Sequence, residues 1–282
     1  MRIKIGDSWL FFDVDGARLR PDGPRMQEAP TLLLLHGGPG FDHSSFKPVM
    51  SALADVAQII YLDHRGQGRS DRVAPDRWTL QNWADDVRDF CDALEITRPV
   101  VMGHSFGGFV AMAYAARHPS HPGKLILSST AARFRLDRIY QAFERLGGQP
   151  VREVAERFWE NPGEETGAEY IRVCFRLYNP AAALADPNTM KRIVLNRELM
   201  YWFIKEEARR FNLLSALSRI ECPTLLLAGE DDPVCPIEDA QDIAGRIAPN
   251  LLRFERFANA GHGVFRDSPE KALQVIREFI QG

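Results

Sequence analysis

The chain has 282 residues, of which 45% are apolar and 26% are charged, and its formal net charge is −3. This length fits one large α/β domain or two small ones, and the weak negative charge argues against a nucleic-acid-binding surface. No segment is apolar enough to span a bilayer or to serve as a signal core after Met1, so we expect a cytoplasmic protein without a membrane partner. The four cysteines lack metal-ligand spacing, and we expect no metal ion and no cofactor.

Short apolar runs alternate with helical patterns along most of the chain. Residues 2–14 are predicted to form an antiparallel hairpin, and Pro21–Pro30 is predicted to be a loop. Between Thr79 and Glu95, apolar residues recur every three or four positions, which predicts a helix with one buried face. This alternation is typical of an α/β fold with a mostly parallel, doubly wound sheet. The predicted core strands are Thr31–Leu35, Ala57–Leu62, Val100–Met102, Lys124–Leu127, Thr224–Ala228 and Leu251–Phe257.

The most informative motif is Gly103-His104-Ser105-Phe106-Gly107, which matches G-x-S-x-G. A strand-like run, Pro99–Met102, precedes it, and a helical run, Phe109–Ala116, follows it. Strand, sharp turn and helix form the setting in which this motif presents a nucleophilic serine. A serine hydroxyl becomes an effective nucleophile when such a turn holds it beside a base. Ser105 is therefore the candidate nucleophile.

The alternation of strand and helix stops near Ala132 and resumes near Ile220. The intervening residues form amphipathic helical patterns that are interrupted at Gly147-Gly148 and again at Asn161-Pro162-Gly163. We predict a core domain of residues 1–132 and 216–282 and an inserted helical cap of residues 133–215. A cap over the edge of the sheet would exclude water and shape a substrate pocket.

Three carboxylates follow the predicted strand Thr224–Ala228, in the run Glu230-Asp231-Asp232. An acid at the carboxyl end of a parallel strand lies at the edge where such sheets build their sites. Asp232 is the candidate acid because its spacing resembles the pattern G-x-x-D-x-x-x-P, Asp231 is the alternative, and a solvated acidic loop is the non-functional interpretation.

His262 is the candidate base, because the order serine, acid, histidine is the one expected for this strand-turn-helix setting. The other six histidines all precede the acid in the chain. His104, next to the candidate nucleophile, is predicted to point away from it and pack in the structure. His118 and His121 are predicted to be surface residues.

These residues predict acyl transfer. Ser105 would attack a carbonyl carbon, His262 would take its proton and return it to the leaving group, and Asp232 would orient the imidazole. An oxyanion hole is also needed, and one donor is expected to be the backbone N–H of Phe106. The other is expected from the glycine-rich segment His36-Gly37-Gly38-Pro39-Gly40, where Gly38 is the candidate; an ordinary tight turn is the alternative for that segment.

Together these segments resemble the α/β-hydrolase family across nearly the whole chain. They are His36–Gly40, Asp63–Ser70, the Ser105 motif and the loops of Asp232 and His262. The resemblance implies an α/β-hydrolase fold with an inserted cap, and a serine hydrolase that acts on small esters, amides or short peptides.

Within that family, the segment His36–Gly40 looks like the prolyl aminopeptidase (proline iminopeptidase) branch. Its members also tend to carry Asp-Gln-Arg-Gly-x-Gly-Arg-Ser, which this chain matches except at His64, and a cysteine and proline after the acid, as at Cys235-Pro236. Two features depart from that branch. Its members usually have Gly-Gly-Ser-Trp-Gly around the nucleophile, and they are generally somewhat longer.

The same resemblance implies that glutamates of the cap bind a free amino terminus. Glu160 and Glu198 are the candidates, because two carboxylates in a partly dry pocket would attract an ammonium group, whereas glutamates on helices are usually solvated. The leading hypothesis is therefore prolyl-aminopeptidase-like release of an N-terminal residue. The alternative enzymes are a carboxylesterase or lactonase and, as a minor alternative, a cofactor-free haloperoxidase. A non-hydrolytic ligand-binding protein on the same fold is the alternative from a different class. The sequence leaves the natural substrate and the oligomeric state open.

Overall fold

A computed structural model describes residues 1–181 and 188–282. Its main sheet places strands from distant parts of the chain side by side. The strands are β1 (Arg2–Ile5), β2 (Ser8–Asp15), β3 (Leu19–Asp22), β4 (Arg25–Glu28), β5 (Thr31–Leu35), β6 (Gln58–Leu62), β7 (Val100–His104), β8 (Lys124–Ser128), β9 (Thr224–Gly229) and β10 (Leu252–Phe257). Eight of them form the main sheet in the order β1-β2-β6-β5-β7-β8-β9-β10.

Strands β6, β5, β7, β8, β9 and β10 are parallel, whereas β1 and β2 pair with their neighbours in antiparallel fashion. The predicted hairpin of residues 2–14 is present as β1 and β2. In the register of β5 with β7, Leu35 pairs with Gly103. The glycine-rich segment after β5 therefore leaves the sheet directly beside the turn that carries Ser105.

The helices cover both faces of the sheet. They are α1 (Leu80–Ala93), α2 (Phe106–Arg117), α3 (Leu136–Gly147), α4 (Gln149–Glu160), α5 (Glu164–Val173), α6 (Thr189–Arg192), α7 (Arg197–Lys205), α8 (Glu207–Arg210), α9 (Ile237–Ala244), α10 (Val264–Asp267) and α11 (Pro269–Gln281). Along β5, Leu33 and Leu35 pack into the core that includes α1 and α2, and Leu32 and Leu34 pack into the core that includes α11. The doubly wound α/β architecture predicted from the sequence is confirmed.

One short segment differs from its prediction. Residues 21–30, predicted to be a loop, contribute to the exposed hairpin of β3 and β4. Gly23 adopts φ +56° at the turn, a conformation that glycine adopts without steric cost. A Gly-Pro pair between two short polar runs therefore marks a hairpin turn here and not an irregular loop.

The chain leaves the sheet after β8 and returns to it at β9. The described residues of this insertion form the six helices α3 to α8. Its two ends meet, because Arg133 and Asn212 form an isolated bridge and the Leu213 N–H donates to the Ala132 carbonyl at 2.8 Å. The division into a core and a separate cap of residues 133–215 stays a prediction.

Candidate active site

Ser105 occupies a strained turn between β7 and α2. Its backbone has φ +53° and ψ −118°, which is a sparsely populated conformation for a residue with a side chain. The flanking glycines allow this turn by close approach. A Cβ on Gly103 would lie 2.2 Å from the Gly107 carbonyl oxygen, and a Cβ on Gly107 would lie 2.0 Å from the Leu35 carbonyl oxygen. Any larger residue at either position would push the helix away from the sheet.

The structure brings Ser105, His262 and Asp232 into one hydrogen-bonded line. His262 Nε2 lies 2.8 Å from Ser105 Oγ, and Nδ1 lies 2.9 Å from Asp232 Oδ2. All three residues are buried, with 8%, 6% and 0% of their surface exposed in the order Ser105, His262, Asp232. A carboxylate on Nδ1 favours the tautomer with the proton on Nδ1, which leaves Nε2 free to accept the serine proton.

Local hydrogen bonds select Asp232 from the three neighbouring acids. The backbone N–H groups of Val234 and Cys235 each donate to Asp232 Oδ1 at 2.8 Å, which fixes the carboxylate toward His262. The alternative acid, Asp231, is only partly buried, and Glu230 pairs with Arg256 at 2.9 Å.

The other histidines of interest have different environments. His104 is buried and its ring packs against Phe265 at 5.0 Å, and burial together with the charge of Arg266 holds its pKa well below the ordinary value. His118 is partly exposed and contacts Asp85. The prediction for His121 is wrong, because its side chain is buried and hydrogen-bonded to Tyr114, where the loop after α2 folds back on that helix.

The glycine-rich segment after β5 lies against the nucleophile. A Cβ on Gly37 would lie 3.2 Å from Ser105 Cβ, and Gly38 adopts φ +59°. Phe106 is the first residue of α2, so its N–H has no acceptor within the helix. Both predicted oxyanion-hole donors therefore belong to segments that border Ser105, and their role as donors stays a prediction.

A residue that the sequence analysis did not single out holds this glycine-rich segment in place. Gln67 is fully buried, and its Oε1 accepts a hydrogen bond from the Gly40 N–H at 2.6 Å. On the other side, the Gly40 carbonyl accepts from the Asn196 N–H at 2.7 Å, just before α7. The motif Asp63–Ser70 was the available signal, because a buried polar side chain in a glycine-rich turn needs a hydrogen-bond partner.

Glu160 and Glu198, the candidate glutamates for binding an amino terminus, are both exposed, and their binding role stays a prediction. The Glu160 side chain is 56% exposed; it accepts a hydrogen bond from Tyr140 at 2.9 Å and pairs with Arg209 at 3.2 Å. Glu198 is exposed in the first turn of α7. Exposed carboxylates are strongly hydrated and screened, so neither offers the buried negative charge that the hypothesis requires.

Two residues of the candidate triad, together with Cys235, form the only group of potentially metal-binding side chains found among residues 1–181 and 188–282. One ligand atom from each of Asp232, Cys235 and His262 lies within 4.8 Å of the others. Burial raises the pKa of the Cys235 thiol well above its ordinary value, which disfavours the thiolate that a metal ligand must be. The hydrogen bonds of His262 fit proton transfer better than metal ligation.

Comparison with known proteins identifies the family of this chain. A family model described as the alpha/beta hydrolase fold matches residues 30–269. This chain belongs to the α/β-hydrolase family. The proline iminopeptidase PfmaB of Pestalotiopsis fici is 27% identical over 96% of this chain and 99% of its own length. The putative carbamate hydrolase RutD of Caulobacter vibrioides is 28% identical over 89% of this chain and 90% of its own.

A solved structure gives the same result for the fold. The proline iminopeptidase of Mycobacterium smegmatis superposes with a TM-score of 0.79 at 24% identity, covering 100% of this chain and 97% of that one. This α/β hydrolase is thus an enzyme of the hydrolase class, and its resemblance to proline iminopeptidases is confirmed. Within the two described ranges of the chain, no helix is both long and apolar enough to cross a membrane.

Proposed function

We propose that this α/β hydrolase cleaves small carboxylic esters or amides through an acyl-enzyme on Ser105. The observation that carries the proposal is the unbroken line of hydrogen bonds from Ser105 Oγ through His262 to Asp232, at a strained turn between strand and helix. A serine is a weak nucleophile without such a base, and a histidine is a well-placed base only when its second nitrogen is oriented.

The proposed reaction has two halves. In the first, the Ser105 proton moves to His262 Nε2, 2.8 Å away, as Oγ attacks the substrate carbonyl. The carboxylate of Asp232 stabilises the imidazolium that forms, and the imidazolium then gives its proton to the departing alcohol or amine. In the second, His262 takes a proton from water, the hydroxide adds to the acyl carbon, and the collapse of that adduct returns the proton to Ser105.

The N–H groups of Phe106 and Gly38 are proposed to stabilise the oxyanion in both halves. The first belongs to the first residue of α2 and has no acceptor within that helix, whose dipole also favours negative charge at this end. The second belongs to the segment that packs against Ser105. Removal of one such donor typically lowers kcat by about 10²–10³.

The most specific substrate class we propose is a peptide or amide with an N-terminal proline. Support comes from the similarity to proline iminopeptidases and from the segments His36–Gly40 and Cys235-Pro236, which resemble that branch. The second candidate is an ester or lactone substrate. The exposure of Glu160 and Glu198 favours it, because these glutamates supply no desolvated charge for an ammonium group.

Parallel assays with proline p-nitroanilide and p-nitrophenyl butyrate distinguish these candidates, with Ser105→Ala as the control. Anilide cleavage that is lost in Ser105→Ala supports the aminopeptidase, and ester cleavage alone supports the esterase. If neither substrate is cleaved by folded wild-type protein and Ser105 fails to react with a fluorophosphonate, the proposed function is wrong.

The double variant Glu160→Gln/Glu198→Gln tests the role of the two glutamates separately. Because both side chains are exposed, we expect kcat/KM for either substrate to change by less than about twofold. Selective loss of anilide cleavage, with ester cleavage intact, would show that these residues bind the amino terminus after all.

A further inference from the structure

A segment of the insertion directly contacts the loop that carries His262. The backbone N–H of His262 donates to the Tyr178 carbonyl at 2.6 Å, and the Tyr178 ring lies edge-on to the imidazole with ring centroids 5.2 Å apart. The approach is tight, because a Cβ on Gly261 would lie 2.2 Å from the same Tyr178 oxygen. The position of the candidate base therefore depends on where residues 178–181 lie.

The carboxylate of Asp267 joins the two segments. Its Oδ2 accepts hydrogen bonds from the Gly261 N–H at 2.7 Å and from Asn179 Nδ2 at 3.2 Å, and its Oδ1 accepts from the Ala181 N–H at 3.2 Å. Gly261 precedes His262 directly, whereas Asn179 and Ala181 belong to the insertion. One carboxylate thus ties both segments together five residues after the candidate base.

We propose that Asp267 is a positioning residue for His262. Its hydrogen bonds hold residues 178–181 of the insertion against the loop 261–263. The position of the cap is thereby coupled to the activation of Ser105. The inference rests on the proposed function, since it requires His262 to act as the base. A general base must stay within hydrogen-bond distance of the group that it deprotonates, and a misplacement of about 1 Å can lower a rate by about 10².

A carboxylate suits this position because both of its oxygens accept hydrogen bonds. An asparagine there has one acceptor oxygen, so its amide NH₂ group would face either the Ala181 N–H or the donors from Gly261 and Asn179. Asp267→Asn therefore breaks at least one of the three bonds, and Asp267→Ala breaks all of them. The proposal predicts a graded loss of activity, with wild type most active and Asp267→Ala least active.

The matched control is Asp85 on α1. Its carboxylate also accepts three hydrogen bonds, from Arg117 Nε, Arg117 Nη2 and His118 Nε2 at 2.7–3.0 Å, but it does so at the opposite end of α2 from Ser105. Asp85→Ala should affect stability without affecting the nucleophile.

The experiment measures the second-order rate of Ser105 labelling by a fluorophosphonate, with kcat and KM for p-nitrophenyl butyrate and a thermal melt for each variant. We expect labelling and kcat to fall at least tenfold in Asp267→Ala and less in Asp267→Asn, with KM changed by under threefold. Asn179→Ala should add little to Asp267→Ala, because both act on the same link. Asp85→Ala should label at the wild-type rate.

Labelling of folded Asp267→Ala within twofold of wild type, or an equal loss in Asp85→Ala, would overturn the proposal. If Asp267→Ala fails to fold, the comparison of Asp267→Asn with Asp85→Ala decides, and a wild-type labelling rate in Asp267→Asn overturns the proposal. Failure of wild-type Ser105 to label at all would instead refute the proposed function, and this result is distinct because it requires no variant.

Discussion

Replacement of Gly107 by alanine should disable the nucleophile without altering any side chain of the candidate triad. The added Cβ would lie 2.0 Å from the Leu35 carbonyl oxygen, 2.5 Å from the Leu35 carbonyl carbon and 2.7 Å from the His36 carbonyl oxygen. All three atoms belong to the backbone at the end of β5, so no side chain can rotate away. Helix α2, which begins directly after Ser105, has to move instead.

The size of the effect follows from these distances. Non-bonded heavy atoms are most stable about 3.5–4.0 Å apart, so the helix and the strand must separate by more than about 1 Å. Overpacking of this kind costs about 1–3 kcal/mol of stability. A shift of about 1 Å at a reacting group lowers a rate by about 10², so we expect kcat/KM for Gly107→Ala to fall at least a hundredfold.

The assay compares ester hydrolysis and thermal unfolding of wild type, Gly107→Ala and Gly245→Ala. Gly245 is the control, because its φ is −71° and an added Cβ would meet its nearest neighbours at 3.5 Å and 3.8 Å. Gly245→Ala should keep its activity within twofold of wild type. A Gly107→Ala variant that is as stable and as active as wild type would refute the argument that this close approach holds the turn.

Two further predictions concern buried polar residues behind the site. Gln67→Leu removes the acceptor of the buried Gly40 N–H, which should lower the free energy of unfolding by about 1–3 kcal/mol and lower kcat at least tenfold. Thermal melts and ester kinetics measure the two effects. Unchanged kinetics would contradict a role of Gln67 in holding the glycine-rich segment. Burial holds the pKa of His64 well below its ordinary value of 6.5, so the unfolded chain binds protons more readily, and stability is lost as pH falls below about 6.5. Denaturation at pH 7 and at pH 5 should therefore show that the free energy of unfolding falls less in His64→Gln than in wild type, by up to about 1.4 kcal/mol per pH unit. An equal fall in both proteins would contradict this explanation.

The features that the sequence predicted are those encoded by short stretches of chain. The glycines around Ser105 mark the turn because close backbone approach leaves no room for a Cβ, and alternating apolar runs mark the strands. The spacing after β9 was sufficient to prefer Asp232 over Asp231, and the structure places Asp232 against His262. The position of His262 after the acid singled it out from six other histidines.

The features that the sequence did not predict depend on contacts between distant residues. Glu160 pairs with Arg209, 49 residues away in the sequence, and a local pattern does not reveal that pairing. Gln67 meets Gly40 across 27 residues, and Asp267 meets Asn179 across 88 residues. In the sequence each of these residues is an ordinary polar residue, because its partner becomes apparent only in the folded structure.

The most direct test of the central claim is reaction of the wild-type protein with a fluorophosphonate, followed by mass-spectrometric mapping of the adduct. We expect one covalent adduct on Ser105, no adduct in Ser105→Ala, and labelling slowed at least a hundredfold in His262→Ala. An adduct at another residue, or equal labelling of wild type and folded His262→Ala, would contradict the proposal that His262 activates Ser105.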